Sequence, residues 1–254
     1  MLFVVLRRYE RVLVGVGLGL MLTALPLAAA AQSAGPVNED FTEEQVGAVP
    51  TSFNAPIGWW SIGTDGVDTK PVLFEDGTRY SATTGQNDLA TQAQAQAQGL
   101  SVHQLADTAP GLAYYPIAIF NKVPNFTQGT IVTRFAIVGG DLDTEAGIIF
   151  SYQPNGDYLA LRMDADSSSL KLESLTQGQA TALAVVDNVP AALARWHDLQ
   201  LTVAPGGTHL SGALDGQKFL DVDIDTPISG QVGTMTKTDS VVVFNSFNVD
   251  PNGQ

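Results

Sequence analysis

The chain has 254 residues, of which 44% are hydrophobic and 15% charged, a balance too apolar for a disordered polymer. Its 12 Lys and Arg against 26 Asp and Glu give a formal net charge of −14, so a nucleic-acid backbone or an anionic lipid surface would repel it. It contains no cysteine, which excludes disulfides, thiolate zinc sites, iron–sulfur clusters and c-type haem attachment.

Residues 1–31 have the three-part layout of a secretory leader. Arg7, Arg8 and Arg11 supply positive charge, an apolar run extends from Val12 to Leu25, and Ala29-Ala30-Ala31 offers the small residues a signal peptidase reads. The run is shorter than the ~20 apolar residues that span a bilayer. The expectation is a cleaved signal peptide, a secreted or periplasmic address and no membrane attachment after cleavage. Removal of 1–31 would leave 9 Lys and Arg against 25 Asp and Glu, a net charge of −16.

Residues 32–38 read as a short flexible lead, and 39–250 as one domain with no internal linker or solenoid-type repeat. Pro71–Phe74 is strand-like, and Glu75-Asp76-Gly77-Thr78 has the composition of a hairpin turn. Residues 88–100 form an Ala/Gln tract with Asp88 and Gly99 as end signals, which predicts a short surface helix or an insert. From Thr130 the extended pattern is strong. Strands are predicted over 130–138, 147–152, 158–164, 170–175, 196–203, 209–214, 219–224, 231–235 and 241–249, separated by turn sequences such as Asn155-Gly156 and Asp215-Gly216. In 158–164, Leu159, Leu161 and Met163 fall on one face, and Tyr158, Ala160, Arg162 and Asp164 on the other. Strands at this spacing predict an all-β fold, a sandwich or barrel.

Several of these segments resemble one family. Ala146-Gly147-Ile-Ile-Phe150-Ser-Tyr152 with Asn155-Gly156-Asp157-Tyr158, the strand Trp196-His197-Asp198-Leu199, the hairpin Leu214-Asp215-Gly216, and the ending Gly230-Gln-Val-Gly233 … Asp239-Ser240 … Phe244-Asn-Ser-Phe247-Asn-Val249 resemble the strands of concanavalin A-like domains, in order, over residues 130–249. That superfamily includes laminin-G-like modules, lectins, glucanases and 3-keto-disaccharide hydrolases. The resemblance implies a jelly-roll sandwich of two antiparallel sheets, one of them concave, and carries no single chemistry with it.

The candidate sites are few. Arg134, Tyr158, Arg162 and Glu173 lie opposite the apolar positions of their strands and are expected to share a sheet face, with Tyr115 on a nearby loop. Such a face would hold a carbohydrate or other polar ligand. Asp141, Asp143 and Glu145 alternate as carboxylates do in retaining glucanases, but follow Gly139-Gly140 and read as a solvated loop, or as hard-oxygen ligands for calcium. Otherwise no cofactor is expected. The three histidines form no zinc motif, and His197 reads as a structural hydrogen-bonding residue. Of Trp59, Trp60, Tyr114 and Tyr115, most are expected in the core. Three functions remain open: an exported non-catalytic binding module for carbohydrate, a glycoside-processing enzyme, and a matrix component. Against a 3-keto-glycoside hydrolase, Glu145–Ser151 lacks the Asn and Arg of that group's Asn-Ser-Gly-x-x-Phe-Arg strand.

Overall fold

The computed structural model describes residues 35–66, 69–80, 96, 97, 99, 114–177 and 179–253. The proposed leader lies outside the described residues, as does the Ala/Gln tract apart from Gln96, Ala97 and Gly99. Among the described residues fifteen strands run in chain order: β1 Val37–Glu39, β2 Phe53–Ile57, β3 Trp60–Thr64, β4 Pro71–Asp76, β5 Ile117–Phe120, β6 Gly129–Gly139, β7 Glu145–Tyr152, β8 Tyr158–Asp164, β9 Ser169–Thr176, β10 Gln179–Asp187, β11 His197–Val203, β12 His209–Leu214, β13 Gln217–Asp223, β14 Gln231–Thr236 and β15 Val241–Asp250. All pairings are antiparallel, and they form two sheets, ordered β13-β12-β11-β6-β15-β4-β3 with β1 on β15, and β10-β9-β8-β7-β14-β5-β2. This is a jelly-roll sandwich.

Period-two alternation builds the core. Ile131, Phe135 and Ile137 of β6 and Phe244, Phe247 and Val249 of β15 point inward from the first sheet. Ile148, Phe150, Leu161, Met163, Leu170 and Leu172 meet them from the second. Phe53 lies 5.1 Å from Phe120 and 5.6 Å from Phe247, ring to ring, and Phe41 is 5.9 Å from Phe53. A core this large needs no covalent staple, which accounts for the missing cysteines.

The structure differs from the sequence expectation in several places, among them the unpredicted strands β2, β3 and β5. Val37 and Asn38, read as flexible lead, form β1 against Val249 and Asn248. Glu75–Thr78 is not a hairpin: β4 continues through Asp76 and pairs with β3 and β15, and the chain then makes a helical turn closed by Tyr80 N–H to Gly77 C=O at 3.0 Å. Gly77 is required there because a Cβ would sit 2.3 Å from the Ser240 carbonyl oxygen. Finally, residues 179–187, absent from the predicted strands, form β10 at the edge of the second sheet, where most of them are exposed and no in-out alternation marks the strand.

Candidate functional site

The outer face of the second sheet carries a second apolar cluster: Ile117 and Ile119 of β5, Ile149 of β7, Tyr158 and Ala160 of β8, Leu175 of β9 and Met235 of β14, with Tyr115 and Tyr152 packed on it. Over one end of this cluster lies a hollow of about 430 Å3. Tyr114, Tyr115, Tyr152 and Tyr158 line it, Ile117 and Leu175 are among its apolar residues, and Asn155 and Gln177 also border it. Tyr158 is nearly buried, and its ring lies 6.2 Å from that of Tyr152. Burial pushes the Tyr158 phenol pKa above its ordinary value.

Local backbone chemistry sets these side chains. The β7–β8 turn closes through Gln153 N–H to Asp157 C=O at 2.8 Å. One Asp157 oxygen accepts from Asn155 Nδ2 and the other from the Gln177 backbone N–H, both at 2.8 Å. One carboxylate thus fixes Asn155 and Gln177. Tyr114 is held by its carbonyl, which accepts the Thr238 N–H at 2.7 Å, and its ring stacks on Tyr80 at 4.9 Å and 14°. Trp59 adjoins it at 6.0 Å.

Next to the hollow, the same face holds a buried chain of charges. Arg162 donates from Nε to Glu173 at 2.6 Å and from Nη2 at 2.9 Å, and its Nη1 meets Glu145. Lys237 Nζ lies 3.0 Å from Asp143 and 3.3 Å from Glu145. All five side chains are almost fully buried. Burial pulls the guanidinium pKa down, but Glu173 more than offsets this and holds it above its ordinary value. At the far end of β8, burial raises Asp164, yet hydrogen bonds from Lys171 and Ser167 hold its pKa at about 2. Gly147 makes room for the network: a Cβ there would lie 2.8 Å from the Arg162 Cβ and 2.8 Å from the Leu161 carbonyl.

Tyr115, Tyr158, Arg162 and Glu173 therefore come together on one face. Arg134 does not join them, because β6 belongs to the other sheet, where its guanidinium pairs with Asp198 at 3.8 Å. Strand phase distinguishes inside from outside but not one sheet from the other. The acidic run is also not a solvated loop. Asp239 accepts the N–H groups of Asp141, Leu142 and Asp143 at 3.0–3.1 Å and folds the segment tightly, which carries Asp143 and Glu145 into burial while Asp141 stays exposed. Calcium does not suit this donor set, since Lys237 and Arg162 already occupy the carboxylates that would bind it. Among the described residues no group of three or more His, Asp or Glu is placed to hold a metal ion. His197 is braced as a structural group: its Nδ1 lies 2.7 Å from Asp215 and its Nε2 accepts the Ala192 N–H at 3.0 Å.

Sequence reasoning missed Tyr152, whose position in β7 predicts the inner face. Ser151 adopts φ 54°, and the β7–β14 register slips by one residue there, which turns Tyr152 outward beside Tyr158. It also missed Glu75, which shares the inward phase of Leu73, is fully buried, and accepts a long 3.4 Å bond from the Trp59 N–H. Burial pushes its pKa up to about 8. Of the four loop aromatics expected mostly in the core, only Trp60 is in it.

No known sequence family matches the chain, and no curated protein does. Solved structures do match. The carbohydrate-binding module CBM66 from Bacillus subtilis is similar with a TM-score of 0.56 and 13% identity, over 81% of this chain and 100% of that one. A Bacillus subtilis protein of unknown function with a galectin-like fold gives 0.53 and 14%, over 87% and 97%. The Crh5 transglycosylase gives 0.50 and 9%, over 85% and 84%. At these identities the likeness establishes the fold: the chain is a concanavalin A-like jelly-roll sandwich.

Proposed function

We propose that this protein is a non-catalytic carbohydrate-binding module, exported by residues 1–31, whose ligand sits in the tyrosine-lined hollow on the second sheet. The observation that carries this reading is the convergence of Tyr114, Tyr115, Tyr152 and Tyr158 with the polar groups of Asn155 and Gln177 in one hollow of about 430 Å3. Aromatic faces with a few fixed hydrogen-bonding groups suit a sugar ring, which is apolar on its C–H faces and polar at its edge. One structural neighbour, CBM66, is a carbohydrate-binding module, which supports the same ligand class.

The carboxylates support binding over hydrolysis. A retaining glycosidase needs one carboxylate free to attack and a second carrying a proton, about 5–5.5 Å apart. Asp143 and Glu145 instead share Lys237, and Glu145 also meets Arg162, so both carboxylates are already paired with cations. The test is calorimetric titration with a panel of oligosaccharides, run beside a reducing-sugar assay. Saturable binding without product is expected. Tyr152→Ala, at a half-buried position, should weaken binding at least tenfold with an unchanged circular dichroism spectrum. Product that disappears in Glu145→Gln would replace this reading with an enzyme, and no binding to any glycan would leave a matrix role. Export is checked by N-terminal sequencing of the protein from the extracytoplasmic fraction, with Gln32 expected first.

A further inference from the structure

Building on that reading, we infer that the ligand is an uncharged glycan, and that uronic-acid and sulfated glycans are excluded by the electrostatics of the second sheet's outer face. None of the ten described residues lining the hollow is charged. The nearest cation on its own strand, Arg162, is almost fully buried and taken up by Glu173 and Glu145. Lys237 is buried between Asp143 and Glu145, and Lys171 is committed to Asp164. The other described cations lie elsewhere: Arg134 on the other sheet with Asp198, Lys218 at that sheet's edge with Asp221, Lys70 beside Asn245 of β15, Arg195 just before β11, Lys122 with Glu39 and Arg79 with Asp76.

The formal charge next to the rim is negative. Asp157 holds Asn155 and the Gln177 backbone, so an anionic sugar reaching for those groups would approach a carboxylate. Anion recognition in proteins relies on charge-assisted bonds from Arg or Lys, and the described lining of the hollow offers none. An anion placed there would lose hydration without a counter-charge, in a molecule already carrying a net −14.

The experiment compares matched polymers that differ only at C6, a neutral hexan and its C6-oxidised uronate form, by affinity electrophoresis and calorimetry at 50 and 500 mM NaCl. The neutral polymer should bind with less than a twofold change between the two salts, and the uronate at least tenfold more weakly. Gln177→Arg, which places a cation at the rim, should narrow that gap. Equal or tighter binding of the uronate, or a steep loss of binding with salt, would overturn the inference and leave the carbohydrate reading standing. Binding of neither polymer, with no binding anywhere in the oligosaccharide panel, would overturn both.

Discussion

Glu75 shows what one residue's phase can do. It lies on the inward face of β4, where burial pushes its carboxyl pKa up to about 8, above the ordinary value of 4.5. Because the folded value is raised, the unfolded chain releases this proton first. The stability linked to Glu75 is complete below pH 4.5 and declines as pH rises towards 8, by roughly 1.4 kcal/mol per unit. Urea denaturation from pH 4 to 9 should show that decline, and Glu75→Gln should flatten it while leaving stability near pH 4 little changed. Arg162 is the opposite case, a charge that is buried and paired. Arg162→Ala leaves Glu173 without its cation and Glu145 with Lys237 alone, and should destabilise by about 3–5 kcal/mol. Arg162→Ala combined with Glu173→Leu should cost less than the sum of the two single changes, which a double-mutant cycle measures.

At the scale of elements, β7 and β8 set up the site together. Gly147 opposes Arg162 across the ladder, and its missing side chain lets the Arg162 stem lie against the sheet. Gly147→Ala should cost about 1–3 kcal/mol through overpacking and displace the guanidinium from Glu145. A fall in the thermal midpoint, with Tyr158 ring resonances shifted in the NMR spectrum, is the expected outcome. The bulge at Ser151 acts at the same scale, since it turns Tyr152 to the outer face.

Over the whole molecule, pH acts from two sides. Asp164, held at about 2, contributes stability that is present above its ordinary value of 3.8 and lost as pH falls towards 2. Glu75 adds its alkaline decline, and above neutrality a net charge of −14 adds self-repulsion. The expected profile peaks near pH 4–5, and raising NaCl at pH 8 should stabilise the protein more than at pH 4.5. Thermal melts across that grid check both statements.

The residues themselves dictated the two-layer β fold, because alternation of Leu159, Leu161 and Met163 against Tyr158, Ala160 and Arg162 is a local property of the extended chain. Turn chemistry at Asn155-Gly156 and Asp215-Gly216 is equally local. Tyr158, Arg162 and Glu173 could be grouped in advance because β8 and β9 are consecutive and pair in register. Only the tertiary structure decided that Arg134 lies on the other sheet, that Tyr152 joins Tyr158, and that Lys237 and Asp239 reach back about ninety-five residues to bury Asp143 and Glu145. Strand phase is set by neighbours two residues apart, whereas sheet membership, bulges and buried ion pairs depend on which distant strands meet, and no periodicity along the chain records that.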